Sequence, residues 1–146
     1  MLRRVHKGFT LIELMIVVVV IAVLSAIAVP GYKYFVTRAK RAAARTAIQN
    51  MAQQQERYFT QNNGYLAIVS GSGSAAGGWI NYVGDTYAAR TYDLTVGVTA
   101  GATTTAASFT ISAAPTNGFA DSTCNTLSLT SAGLQSPTSP SDCWQR

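Results

Sequence analysis

The stretch FTLIELMIVVVVIAVLSAIAV, residues 9–29, holds 21 residues and a single charge, Glu13. At ~1.5 Å per residue, a helix of this length covers about 30 Å, the thickness of a bilayer's hydrocarbon core. Before it stands MLRRVHKG, residues 1–8, a short basic head carrying Arg3, Arg4 and Lys7. A secretory signal peptide also has a basic head, but its apolar part is usually ~7–15 residues long and ends at a small-residue cleavage site. Ser25 and Ala26 could mimic such a site, which keeps that reading open. The greater length favours a helix that stays in the membrane.

Glu13 is the anomaly in this run. A carboxylate at the centre of a membrane helix costs roughly 2.5–3.5 kcal/mol on insertion scales. Near the N-terminal end of the run the cost is smaller. One reading leaves Glu13 in the headgroup region. The other gives it a cationic partner when subunits assemble. A cut between Gly8 and Phe9 would create an α-amine four residues from Glu13. Groups that close on a helix share a turn or lie on adjacent turns. The same amine on a neighbouring subunit, staggered by about a turn, could pair with the carboxylate.

From Lys7 to Tyr32 the sequence KGFTLIELMIVVVVIAVLSAIAVPGY resembles the prepilin leader and N-terminal helix of type IV pilins and related pseudopilins. The resemblance implies that a dedicated membrane peptidase cuts after Gly8 and that the same enzyme methylates the new Phe9 amine. It implies that Glu13 guides assembly through a neighbour's N-terminus. Pro30 matches the family's helix proline, whereas Ala22 stands where major pilins often carry a glycine.

The charges flanking the run do not orient it. Arg3, Arg4 and Lys7 precede it, and Lys33, Arg38, Lys40, Arg41 and Arg45 follow closely. The positive-inside rule chooses no direction from such a balance. Cysteine usage does lean one way. The two cysteines, Cys124 and Cys143, lie in the distal polar part, and a pair closing a short loop fits an oxidising compartment. The resemblance implies the same arrangement. The leader would face the cytoplasm, a single span would cross the bacterial inner membrane, and the C-terminal domain would be periplasmic before joining an extracellular pilus.

Beyond the run, Pro30 lacks an N–H and is expected to kink or open the helix, with Gly31 adding softness. From about Tyr32 to Phe59 the composition is strongly helical, rich in Ala, Gln and Arg and free of Gly and Pro. Phe35, Ala39, Ala43, Ala47 and Met51 recur every four residues as a lean face for close neighbours. Ile48, Met51, Gln55, Tyr58 and Phe59 form a second sector expected to pack under the C-terminal domain. Asn62, Asn63 and Gly64 supply the stop signal. A helix over about residues 9–60 would be near 75 Å long, which a lone globular domain cannot bury. The aromatic trio Tyr58, Phe59 and Tyr65 reads as core at the helix end.

Residues 70–78, SGSGSAAGG, have the composition of a flexible loop. Four short strands are expected after it: WINYV at 79–83, TYDLTV at 91–96, ASFTIS at 107–112 and NTLSLTS at 125–131. Their spacing favours a small antiparallel sheet over βαβ units. The expected fold class is therefore α+β, one long N-terminal helix packed against a four-stranded antiparallel sheet. The expected organisation is a leader at 1–8, a transmembrane and assembly helix at 9–29, its continuation at 30–60 and a globular head at 61–146.

The distal half, from TISAAPTNG through CNTLSLTSAG to CW, resembles PilE-like minor or small pilins. That resemblance implies a disulfide between Cys124 and Cys143 that staples the final loop to the sheet, with Trp144 directly after it.

Composition excludes much else. The 146 residues are only 12% charged, about half the share usual in a soluble domain. The formal net charge of +5 is concentrated in the front half. Residues 61–146 carry Arg90 and Arg146 against Asp85, Asp93, Asp121 and Asp142, a net charge of −2 before the terminal carboxylate. These aspartates read as surface or turn residues. The one histidine, His6, falls in the leader, so no Ser–His–Asp triad can form in the processed chain. Two cysteines without a nearby histidine do not make a zinc site. No catalytic residue, metal or cofactor is expected.

Arg38, Arg41 and Arg45 lie at i, i+3 and i+7, on one helical stripe. DNA binding needs exposed cations to neutralise phosphates. This stripe follows the apolar run so closely that anionic headgroups, packed neighbours or solvent are its expected surroundings. The resemblance thus implies a structural subunit of a type IV pilus, a minor pilin needed for assembly and for twitching motility or adhesion. Its implied partners are other pilin subunits, the prepilin peptidase/methylase, the inner-membrane assembly machinery and the bilayer. Alternatives are a DNA-binding pilin for natural transformation, a major pilin or a type II secretion pseudopilin.

Overall fold

The computed structural model describes residues 8–71, 73–74, 76–100, 106–138, 140 and 143–145, apart from the side chains of 29, 30, 76, 100, 106 and 107. The leader's Arg3, Arg4, His6 and Lys7, the side chain of Pro30, and Asp142 and Arg146 lie outside the described residues. The chain divides into two compact units, Met1–Thr37 and Arg38–Arg146.

One α-helix, α1, runs over Leu11–Asn62 and supplies elements to both units. It stays helical across Pro30 and Gly31. Its C-terminus is closed by Asn63, whose φ of 54° is left-handed and whose N–H donates to the Phe59 carbonyl at 2.8 Å. Asparagine tolerates that conformation better than most residues.

In the second unit the sheet comprises β1 (Tyr82–Val83), β2 (Tyr92–Ala100), β3 (Ala106–Pro115), β4 (Leu127–Thr130) and β5 (Gln135–Ser136). The spatial order equals the chain order, and every neighbouring pair is antiparallel. Five strands stand where four are expected. The fifth, β5, returns after the turn at residues 131–134, and both of its residues are exposed, so no apolar alternation announces it. The first strand is shorter than its sequence suggests. Trp79, Ile80 and Asn81 precede it as irregular chain, with Asn81 buried. The Asn81 carbonyl accepts the Leu94 N–H at 2.8 Å, and its Nδ2 donates to the Val69 carbonyl at 2.9 Å.

The core follows the two periodicities. Tyr92, Leu94 and Val96 of β2, Phe109, Ile111 and Ala113 of β3, and Leu127 of β4 alternate inward and are buried. Register pairs Leu94 with Ala113, Val96 with Ile111 and Ile111 with Leu129, so small and large side chains interleave on one face. Against that face α1 sets Arg41, Ala44, Ile48, Met51 and Gln55, all buried. Their spacing is the stripe of a helix laid on a sheet. Gln55 closes the stripe by pairing with the backbone of Leu66, donating to its carbonyl at 2.7 Å and accepting its N–H at 2.9 Å. Tyr58, Phe59 and Tyr65 are partly buried at this end, Phe59 stacking on Tyr65 with centroids 4.7 Å apart.

Candidate functional site

In the first unit, Gly8, Phe9 and Thr10 lead irregularly into α1. The Thr10 Oγ1 accepts the Glu13 N–H at 3.3 Å, and the Leu14 N–H reaches the Thr10 carbonyl at 3.2 Å. Thr10 is therefore the N-cap, and Thr10 to Glu13 has the order of a capping box. Glu13 stands in the first turn of α1, where the positive end of the helix dipole favours a carboxylate. The fold thus supports this charge locally while placing it three positions from the cap.

Around Glu13 the apolar side chains have no cover. Phe9 is 85% exposed, Leu11 78%, Ile27 74% and Phe35 70%, and the other large apolar side chains described between them are exposed as well. A helix apolar on every side needs lipid or other helices around it. α1 is long and apolar enough to cross a membrane, by length and composition.

The second unit contains a buried ionic centre. The Arg41 Nε donates to Asp121 Oδ2 and Nη2 donates to Oδ1, each at 2.6 Å. The two side chains are 9% and 0% exposed. Asp121 Oδ1 also accepts the backbone N–H groups of Thr123 at 3.2 Å and Cys124 at 3.0 Å. The Tyr92 hydroxyl donates to Oδ2 at 3.2 Å. Burial by itself pushes the Asp121 carboxyl up, but the Arg41 hydrogen bonds, the Cys124 and Thr123 amides and the Arg41 charge together hold it below the ordinary carboxylate value. Burial, then the charge of Asp121, pushes the Tyr92 phenol well above its usual value, so it remains a neutral donor.

This centre fixes the C-terminal loop. Cys124, three residues after Asp121, is disulfide-bonded to Cys143, and both are buried. The Cys143 N–H donates to the Pro140 carbonyl at 3.2 Å, and the Trp144 Nε1–H to the Ser136 carbonyl at 3.1 Å. Arg45, one turn beyond Arg41, donates to the Gln145 carbonyl. Two arginines of α1 therefore hold the two ends of the disulfide-closed loop.

Sequence reasoning missed this arrangement. Arg41 does not share a solvated or headgroup-facing stripe with Arg38 and Arg45; it is buried on Asp121. Asp121 is not a surface carboxylate. The usable signal was the spacing Arg41, Ala44, Ile48, Met51, Gln55, an apolar stripe with a polar residue at each end.

Other cations also have specific surroundings. Arg90 Nε is 2.6 Å from Asp93 Oδ1, and the guanidinium lies 3.9 Å from the Tyr87 ring centroid. The Lys40 Nζ lies 4.3 Å from the Phe119 ring centroid. Among the described residues, no group of three or more His, Cys, Asp or Glu could hold a metal ion.

Comparison with known proteins gives two family matches. Residues 30–128 match the family described as type IV minor pilin ComP, DNA uptake sequence receptor. Residues 3–29 match the prokaryotic N-terminal methylation motif. The type IV major pilin protein PilA of Myxococcus xanthus is 39% identical over 70 residues, 48% of this chain and 32% of that protein. The fimbrial protein EcpC of Eikenella corrodens is 37% identical over 86 residues, 57% of this chain and 56% of that one. The match thus spans between about a third and just over half the length of these curated relatives. A solved type IV pilin from Shewanella oneidensis is 28% identical, with a TM-score of 0.48, covering 75% of this chain and 98% of that one.

Proposed function

Because this chain belongs to the type IV pilin family, its residues 30–128 matching a family of minor pilins, we propose that it is a minor structural subunit of a type IV pilus. The observation that carries this reading is the uncovered apolar surface of α1 from Leu11 to Phe35, with a single carboxylate, Glu13, in its first turn. In the inner membrane, lipid covers that surface; in the fibre, the helices of neighbouring subunits cover it. The methylation motif at 3–29 supports processing after Gly8 by a prepilin peptidase/methylase, leaving a methylated Phe9 amine. That amine, on a neighbour, is the cation for Glu13. Pro30 belongs to the segment that adjusts as lipid contacts give way to helix contacts. Residues 9–29 are then the span, 30–60 the helix continuation and 61–146 the periplasmic, later extracellular, head.

The description of the family matched by residues 30–128 backs a more specific reading better than the assembly role, one in which the head of a fibre-borne subunit engages DNA. On this reading the phosphates meet exposed cations of α1 such as Arg38 and Arg57, because Arg41 is buried and Arg90 is paired. One experiment separates the two. The gene is deleted, and surface piliation, twitching and DNA uptake are measured in the same strain. Loss of fibres supports the assembly role. Normal fibres with lost uptake, together with salt-sensitive DNA binding by the purified chain, establish the DNA reading instead. Normal fibres, twitching and uptake, with the chain absent from sheared pili of the parent strain, defeat both.

A further inference from the structure

Gln54, Arg57 and Gln61 recur at i, i+3 and i+7 and share one stripe of α1. With Tyr58, and with Gly77 and Trp79 from the α1–β1 connection, they line a surface cavity of about 380 Å³. Small-molecule sites commonly occupy ~300–1,000 Å³. The Tyr58 and Trp79 rings meet edge to face, 5.9 Å between centroids and 87° between planes. Gly77 lets the chain fold against the indole. Its φ is +84°, and a Cβ there would stand 3.5 Å from the Trp79 Nε1. Among the described residues, the Arg57 guanidinium and the Gln54 and Gln61 amides have no hydrogen-bond or ion-pair partner, and no carboxylate lines the cavity.

We propose that this cavity binds an acidic sugar, one carboxylate on a polyhydroxylated ring. Arg57 takes the carboxylate, Gln54 and Gln61 take hydroxyls, and the Tyr58–Trp79 pair lies against the apolar face of the ring. The chemistry of the lining selects this class. Each glutamine amide offers both donors and an acceptor, which matches hydroxyls that do the same. A guanidinium is the side chain best shaped for a carboxylate. Aromatic edges and faces supply an apolar wall with a polar tip. A nucleic acid strand is a poorer match, because it brings a charge at every nucleotide and Arg57 is the single cation in the lining. The inference competes with the DNA reading for Arg57, and the nucleotide arm of the test separates them.

The test uses the full chain in a detergent without a sugar headgroup. Saturation-transfer NMR is recorded with galacturonate, with galactose as its uncharged counterpart and with dAMP as the nucleotide. Galacturonate is expected to bind, and galactose at least tenfold more weakly. Arg57→Gln is expected to weaken galacturonate at least tenfold, with Arg57→Lys retaining part of the binding. Gln54→Ala, at a half-buried helix position, is expected to weaken both sugars. Absence of galacturonate transfer, equal binding of the two sugars, or binding unmoved by Arg57→Gln overturns the proposal. So does dAMP binding tighter than galacturonate, which would assign the cavity to nucleotides.

Discussion

Arg41 and Asp121, 80 residues apart in sequence, share two hydrogen bonds of 2.6 Å in the interior of the head. The pair ties the helix to the connection between β3 and β4, three residues before the cysteine that closes the C-terminal loop. A buried ion pair need not outperform an apolar pair of the same size, but breaking one partner away leaves an uncompensated charge in the core.

The first prediction follows from that asymmetry. Arg41→Ala or Asp121→Ala alone should destabilise the head by about 3–5 kcal/mol. The double replacement Arg41→Met with Asp121→Leu should cost less than either single change. Chemical denaturation of the detergent-solubilised chain, followed by near-UV circular dichroism, measures all three. A double variant as weak as the sum of the singles would refute the coupling.

The second prediction concerns pH. The Asp121 carboxyl titrates lower in the folded chain than unfolded. Between those two values the unfolded state binds more protons, so stability rises with pH. The contribution is complete above the ordinary aspartate value of ~3.9 and is lost as pH falls through the folded value. Tyr92 acts in the opposite sense. Its raised value means a contribution present below the ordinary tyrosine value of ~10 and lost as pH climbs toward the folded one. Melting temperature against pH should therefore fall at both extremes in the parent chain. In Tyr92→Phe the alkaline decline should be shallower; an unchanged decline would show that Tyr92 does not carry it.

The third prediction concerns the disulfide. Cys124 and Cys143 are 19 positions apart, and closing a loop of that size stabilises by roughly 3 kcal/mol in the loop-entropy account. Cys143→Ser should lower head stability by about that amount and reduce folded periplasmic protein. Denaturation midpoints and periplasmic yield test this, and parent-level values for both would reject it.

The fourth prediction concerns Glu13. Glu13→Ala removes a charge from the apolar span, so membrane insertion should be equal or easier. Incorporation into fibres should drop, because the pairing proposed above would leave a neighbour's Phe9 amine without its counter-charge. Tagged variant and parent subunits co-expressed in one strain allow incorporation to be read from sheared pili. Equal incorporation would remove the pairing from the mechanism.

Much of the architecture was legible because its signals are local. The 21-residue apolar run, the helix-rich composition after it and the Asn63 stop are read residue by residue. The alternation of Tyr92, Leu94 and Val96 declares a half-buried strand in the same way. What escaped depends on partners distant in the chain. A charge at Arg41 looks like its neighbours Arg38 and Arg45 until Asp121 is brought beside it. The strand β5 consists of two exposed polar residues defined only by pairing with Ser128 and Leu129. The Thr10 cap on the Glu13 amide was missed as well, although the order Thr-x-x-Glu is a local signal.

The order of the sheet has a consequence for how copies of this chain can join. Its two outer strands, β1 and β5, are two residues each, while the nine- and ten-residue strands β2 and β3 lie inside. Long unpaired edges are templates for strand addition and for cross-β growth. Here β1, the Ile68–Val96 bridge and β5 leave only short stretches open to a docking strand, while α1 from Leu11 to Phe35 presents exposed apolar side chains. A concentrated pool of such subunits is thereby biased away from amyloid-like stacking and toward the helix-cored polymer proposed above.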